Sequence, residues 1–341
     1  MENRDLAVQS GHFRTTVVLG AGAWGTALAQ VAARAGQDVR LWGRDQGLAN
    51  AIRMQRENPK YLPGVELEAS IVASTRICDC ASADLVLLVT PAQTLRGMCA
   101  SMEGVFRPDV PIVICAKGIE RETGKFVTEV VAEVLPRNPV AILSGPSFAG
   151  DVASGLPTAV TIAAHDEGLA RTIGNILGTQ SFRLYHTNDV RGVEIGGAAK
   201  NVLAIGCGIV DGLQLGASAK AALIARGFAE LRRFGAAFGA TQETLMGLSG
   251  LGDLVLTCSS PQSRNYALGL SLGTGKGKLP HGKLAEGAFT AQILCDMARR
   301  QNIDMPIADA VDKVLRDELT IDEAISSLMM RPQKSETFGA A

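Results

Sequence analysis

From Thr15 to about Thr187, short runs of β-branched and aliphatic residues alternate with longer stretches of helical periodicity. The runs predict strands over 16–19, 39–42, 85–89, 112–115, 140–143, 159–163 and 183–185. Each is almost continuously apolar, which suits strands buried on both faces of a mainly parallel sheet covered by crossover helices; clean alternation would mark a sheet with one wet face. After Asn188 the texture changes to long Ala-, Gly- and Leu-rich stretches over 193–210 and 217–238, which read as packed helices. Thr320-Ile321-Asp322-Glu323 has the pattern of a capping box and opens a final helix through Leu328.

The first strand runs directly into Gly20-Ala21-Gly22-Ala23-Trp24-Gly25, and a helical pattern over 26–35 follows. In that context the GxGxxG spacing assigns a job to each glycine: Gly20 makes the tight turn, Gly22 lets backbone approach a pyrophosphate, and Gly25 lets the helix pack closely. The helix start offers N–H groups to an anion. The chain is therefore expected to bind a dinucleotide, NAD(H) or NADP(H), on an α/β fold: an N-terminal Rossmann-type doubly wound sheet over 15–188 followed by an all-α substrate domain over 189–330. A polar extension, 1–14, and a polar tail, 331–341, flank them. At the tip of the second strand, where an NAD site usually places a carboxylate against the ribose 2′-hydroxyl, this chain has Arg44. A guanidinium there pairs with a 2′-phosphate, which favours NADP(H), while Asp45 either meets ribose or caps the next helix.

Composition narrows the partners. Lys plus Arg number 33 and Asp plus Glu 34, a net charge of −1, so no basic excess is available to neutralise a nucleic-acid backbone, and small ligands are the expected partners. The seven cysteines form an odd, unclustered set, and the four histidines are scattered. Neither pattern suits a disulfide framework or a metal centre, so a reducing cytoplasm and no metal are expected. The first 14 residues lack the apolar core of a signal peptide, and no stretch of about 18 apolar residues is expected to enter a membrane.

Several charges stand in apolar surroundings. Lys200 is the one charged residue from Ile195 through Val210, and burial there would lower its pKa towards that of a group able to give and take a proton. Lys117 follows the strand over 112–115, at the carboxyl edge where doubly wound sheets bind ligands, although a loop lysine facing water reads the same way. Asp253 is the one charge between Glu243 and Arg264; buried, it needs a partner, for which Lys200 is a candidate, or it caps a helix. Ser263-Arg264-Asn265 sets a hydroxyl, a guanidinium and an amide side by side as a possible grip for phosphate. The stretch Ser144-Gly145-Pro146-Ser147-Phe148-Ala149 either presents backbone N–H groups to a ligand or turns the chain.

Together these segments, with Gly196-Gly197-Ala198-Ala199-Lys200-Asn201-Val202 and Gly250-Leu251-Gly252-Asp253-Leu254, resemble in order and spacing the bacterial NAD(P)-dependent sn-glycerol-3-phosphate dehydrogenases from about Val17 to Pro306. The resemblance implies nucleotide contacts at Ala23, Trp24, Arg44, Lys117, Ala149, Arg264, Leu284 and Glu286. It implies substrate contacts at Lys117, Gly145, Ser147, Lys200, Asp253, Ser263, Arg264 and Asn265, with Lys200 as the proton carrier and Lys117 and Asp253 orienting the reacting end. It also implies interconversion of dihydroxyacetone phosphate and sn-glycerol 3-phosphate, a product used in phospholipid synthesis, and a homodimer. Leu284-Ala285-Glu286-Gly287 departs from the family's commoner Val-Val-Glu-Gly, most at Leu284. Two rivals remain at this point: a β-hydroxyacid or 6-phosphogluconate-type dehydrogenase acting on a carboxylate, and a nucleotide-sensing module without turnover.

Overall fold

The computed structural model describes residues 13–277 and 285–333. Among the described residues eight strands form one sheet: β1 (Thr15–Leu19), β2 (Asp38–Trp42), β3 (Ile71–Ser74), β4 (Leu85–Leu88), β5 (Ile112–Ile114), β6 (Val140–Ser144), β7 (Thr158–Ala164) and β8 (Phe182–Thr187). Their order is β3-β2-β1-β4-β5-β6-β7-β8, with every neighbouring pair parallel except β6 and β7. This is the doubly wound arrangement, reversing direction between β1 and β4, with two strands added on one side. Six of the helices connect the strands: α1 (Ala23–Arg34), α2 (Gln46–Gln55), α3 (Leu95–Ser101), α4 (Val127–Val134), α5 (Ala149–Ala153) and α6 (Glu167–Leu177). Apolar side chains from α1, α2, α5 and α6 cover one face of the sheet, and those of α3 and α4 cover the other.

The strand register sets the site. Leu19 pairs with Trp42 and with Leu88, Leu88 with Ile114, and Ile114 with Ile142. The segments that follow these residues therefore leave the sheet along one carboxyl edge: Gly20, Arg44, Thr90, Lys117 and Gly145. The seven expected strands are all present within a residue or two of their expected ends, and the eighth, β3, was not expected. It is a four-residue edge strand whose pattern carries too few residues to separate it from a loop.

The second half is helical: α7 (Val190–Gly212), α8 (Ala217–Ala237), α9 (Gln242–Met246), a π-helical turn over Leu248–Gly252, then α10 (Asp253–Ser259), α11 (Arg264–Gly273), α12 (Glu286–Arg300), α13 (Pro306–Leu315) and α14 (Ile321–Met329). The capping box of α14 forms as expected, Thr320 Oγ1 accepting from the Glu323 amide and the Glu323 carboxylate accepting from that of Thr320. Helix α7 is the axle of this half. It is long and apolar enough to cross a membrane, against the expectation of no such stretch, yet its apolar window is wholly buried inside the protein. A helix apolar all round is what a central position in a bundle requires.

Candidate functional site

The glycine loop folds as its spacing predicts, and each glycine meets a different constraint. Gly20 has φ +123°, and a Cβ there would lie 2.8 Å from the Val89 carbonyl oxygen, across the crevice between β1 and β4. A Cβ at Gly25 would lie 1.7 Å from the Gly20 oxygen. At Gly22, by contrast, it would meet no atom within 4 Å. Gly22 is the N-cap of α1, has no capping side chain, and no acidic residue occupies the first turn. The leading N–H groups of α1 are thus left for an anion, which is the fit a dinucleotide's pyrophosphate needs.

Ala23 and Ala149, both expected to touch nucleotide, line one open cleft of about 530 Å³ with residues 61–65, Phe148, Asp151 and Gln262. Trp24 packs half-buried against the first sheet core. Arg44 is exposed at the tip of β2, and no hydrogen bond or ion pair engages it among the described residues. Its neighbour is committed elsewhere. Asp45 caps α2 by accepting from the Leu48 amide at 3.0 Å and pairs with Lys60 at 3.1 Å, so of its two expected roles the structure takes the cap. These bonds hold its carboxyl below the usual range.

Three separated charges converge where the sheet edge meets α7. Two adjacent glycines allow it. A Cβ at Gly196 would lie 2.5 Å from the Ser249 oxygen of the π-helical turn, and one at Gly197 would lie 2.9 Å from Ser144 Oγ and 3.4 Å from Lys117 Cγ. Without side chains there, the π-helical turn closes on one side of α7 and the tips of β5 and β6 on the other. Lys200, one turn further along α7, then meets Asp253, the first residue of α10, in an ion pair to Oδ1. The other carboxylate oxygen accepts from Lys117 Nζ at 2.6 Å. Thr257, one turn along α10, accepts from Lys200 Nζ at 2.9 Å and donates to Asp253 Oδ1 at 3.4 Å. Lys117 Nζ also reaches the Gly145 carbonyl at 3.4 Å, an oxygen that Ser147 Oγ approaches at 3.1 Å.

The electrostatics of this cluster are unequal. Burial pushes the Lys200 ammonium down to about 7, against the pull of Asp253 and with the help of Lys117. Burial opposes the Asp253 charge too, but the two ammonium groups win and hold its carboxyl below the usual range. The Lys117 side chain retains 18% of its exposure and that of Lys200 6%, so burial weighs more heavily on the Lys200 ammonium.

The remaining expected residues are placed less uniformly. Ser263 is the N-cap of α11, its hydroxyl accepting from the Tyr266 amide at 3.3 Å, and Asn265 Oδ1 accepts from the Gly287 amide at 2.9 Å. Both groups expected beside Arg264 as a joint grip therefore also hold helix ends; Arg264 itself is exposed and has no hydrogen bond or ion pair among the described residues. Glu286 opens α12 and shares a small cavity with Lys117. Burial raises its pKa, while Arg264, Lys117 and Lys200 pull the other way. Leu284 lies outside the described residues. Thr257 escaped the sequence reading, although its place four residues after Asp253 on a helix was the available signal.

Comparison with known proteins fixes the chemistry's family. Residues 15–170 match the model of the NAD-dependent glycerol-3-phosphate dehydrogenase N-terminus, and residues 189–326 that of its C-terminus. The chain belongs to this family. It is 59% identical over 327 residues to a glycerol-3-phosphate dehydrogenase [NAD(P)+] of Bradyrhizobium sp. (strain ORS 278), spanning 96% of this chain and 99% of that one. A Methylobacterium radiotolerans protein of the same description is 58% identical, spanning 94% and 97%. The crystal structure of glycerol-3-phosphate dehydrogenase from Coxiella burnetii superposes with a TM-score of 0.88 at 37% identity, covering 94% of this chain and all of that one. The protein is accordingly an NAD(P)-dependent oxidoreductase with glycerol-3-phosphate dehydrogenase activity, and both rival readings of the sequence fall.

Proposed function

We propose that this dehydrogenase interconverts dihydroxyacetone phosphate and sn-glycerol 3-phosphate with Lys200 as the proton carrier. The observation that carries the reading is the Lys117–Asp253–Lys200 cluster, in which the most buried lysine has its pKa lowered to about 7. The dinucleotide, when bound, supplies or removes a hydride at the substrate's central carbon. Everything else falls to the chain. In the reducing direction Lys200 Nζ gives a proton to the oxygen that becomes the alkoxide; in the oxidising direction the neutral amine takes it back. Asp253, held by both lysines and through Thr257, fixes where Nζ sits, and with Lys117 it orients the reacting end of the substrate.

Nucleotide contacts are assigned to Gly20, Gly22, Ala23, Trp24, Gly25, Arg44, Lys117, Ala149, Arg264, Leu284 and Glu286. Substrate contacts are assigned to Lys117, Gly145, Ser147, Lys200, Asp253, Ser263, Arg264 and Asn265. Arg264 is the open guanidinium of the second set and so the principal phosphate ligand. Arg44, with Asp45 committed to its cap, makes NADP(H) the favoured cofactor. By the family resemblance the glycerol 3-phosphate produced feeds phospholipid synthesis.

The test is a steady-state assay of the purified enzyme with NADPH and NADH against dihydroxyacetone phosphate, and with the oxidised cofactors against sn-glycerol 3-phosphate, its enantiomer and β-hydroxyacids. Turnover confined to the phosphorylated three-carbon pair is expected. Turnover of hydroxyacids alone would overturn the substrate.

A further inference from the structure

Between α2 and β3 the chain makes an irregular excursion that is fastened to α1 by two buried amides. Asn58 is fully buried. Its Nδ2 donates to the Ala21 carbonyl at 3.1 Å and to Thr26 Oγ1 at 2.7 Å, and its Oδ1 accepts from the Tyr61 amide at 3.0 Å. One turn beyond Thr26, the buried Gln30 holds the same excursion further on: Nε2 donates to the Glu66 carbonyl and Oε1 accepts from the Glu68 amide, both at 2.9 Å. Thr26 and Gln30 are the two polar side chains on the buried face of an otherwise apolar helix. Burying them requires partners, and this excursion supplies them.

The Asn58 bonds differ from those of Gln30 in what they touch. Ala21 is the second residue of the glycine loop. Its carbonyl and the Gly22 N–H belong to one planar trans peptide and point in opposite directions. Drawing the Ala21 oxygen inward onto Asn58 therefore turns the Gly22 N–H away from the interior. The same amide, through Tyr61, starts residues 61–65, which form a wall of the cleft shared by Ala23 and Ala149. One side chain thus sets both the donor at the loop and the wall facing it. We infer that Asn58 is a positioning residue for the dinucleotide, acting through the glycine loop. This rests on the assignment of that loop as the cofactor site.

Four full-length variants test it by NADPH titration and steady-state kinetics, with folding checked by circular dichroism. Asn58→Asp keeps the acceptor for Tyr61 but cannot donate to Ala21; its dissociation constant for NADPH should rise about tenfold, the loss expected for one buried hydrogen bond, with kcat and the KM for dihydroxyacetone phosphate changed less than about threefold. Gln30→Met removes as many bonds to the same excursion without touching the loop; it should lower the melting temperature and leave NADPH affinity within about threefold. If Asn58→Asp does not fold, Asn58→Leu, which has no donor for the Ala21 carbonyl, carries the same comparison. The inference is overturned if the folded Asn58 variant binds NADPH as the parent does, or if Gln30→Met weakens binding equally. Gly22→Ala separates the two layers: unchanged NADPH binding there removes the loop assignment itself, whereas weakened binding there with an unaffected Asn58 variant removes the positioning role alone.

Discussion

A Cβ added at Gly22, in the glycine loop, would meet no atom within 4 Å, whereas one added at Gly208 of α7 would lie 2.1 Å from the Tyr266 carbonyl oxygen, and one at Gly269 of α11 would lie 2.0 Å from that of Ile205. Gly212 and Gly273 repeat the close approach one turn on, at 2.7 Å from the Leu270 oxygen and 2.5 Å from the Ile209 oxygen. The same residue type thus serves two ends. At the sheet edge it keeps backbone donors open to a ligand; between α7 and α11 it lets two helix backbones touch. The space in front of Gly22 is left for a ligand's approach, whereas the carbonyls in front of Gly208 and Gly269 are where the protein packs on itself. Further up α7, Gly196 and Gly197 allow the same kind of close approach by the π-helical turn and the strand tips, and the low pKa of the neighbouring Lys200 is a consequence of that closure.

The largest effect is expected where closure makes chemistry. Lys200→Ala should fold and bind NADPH but lose turnover by a factor on the order of a hundred to ten thousand, measured at saturating substrates. In the parent, reduction needs the protonated lysine, so its kcat/KM should fall as pH rises through about 7, and oxidation needs the neutral amine, so its kcat/KM should fall as pH drops through about 7. Limbs near 10 in both directions would mean that Nζ is solvated and that the region is not closed around it.

Gly269→Ala and Gly22→Ala form a pair that sharpens the contrast directly. The first forces a methyl against a backbone carbonyl and should destabilise the enzyme by about 3 kcal/mol or more in denaturant titration. The second adds a methyl to open space on a backbone with φ −75°, which alanine adopts freely. Its stability should change by less than about 1 kcal/mol, while its KM for NADPH rises at least about tenfold as the methyl keeps the pyrophosphate off the loop. Equal loss of stability in both would erase the distinction. The smallest effect belongs to the most exposed group: Arg44→Ala should weaken NADPH by about tenfold, the cost of a lost charged contact, and NADH by much less, measured as the ratio of kcat/KM values. Equal losses for both cofactors would detach Arg44 from the 2′-phosphate.

Seven of the eight strands, the glycine loop and the capping box of α14 were legible in the chain because each is written within a few residues: apolar runs, glycine spacing, a Thr and a Glu three apart; α1 itself starts at Ala23, three residues before the pattern expected from 26. Strand β3 was not, since four residues at an edge carry little pattern. Asp45 was left between two roles, and a lysine 15 residues away and an amide three residues on decided it. Ser263 and Asn265 looked like a ligand grip because they flank an arginine, but the hydroxyl and amide oxygens also secure α11 and α12. Asn58 and Gln30 drew no notice in the sequence, although polar residues in a wholly buried stretch of α1 were a signal that partners had to exist.

By itself the sequence determined that a dinucleotide loop leads an α/β sheet, that helices follow, and, through six motifs in order, which family the chain resembles. It also marked Lys200 and Asp253 as charges that could not stand alone. Only the tertiary structure decided that they stand together and that Lys117, 136 residues before Asp253, shares the carboxylate. The physical reason is range. Periodicity, caps and turns are set by neighbours along the chain, whereas a buried charge takes its partner and its pKa from whatever the packing of distant elements brings within hydrogen-bond reach, here through two glycines that let a sheet edge and a π-helical turn close on α7 from either side.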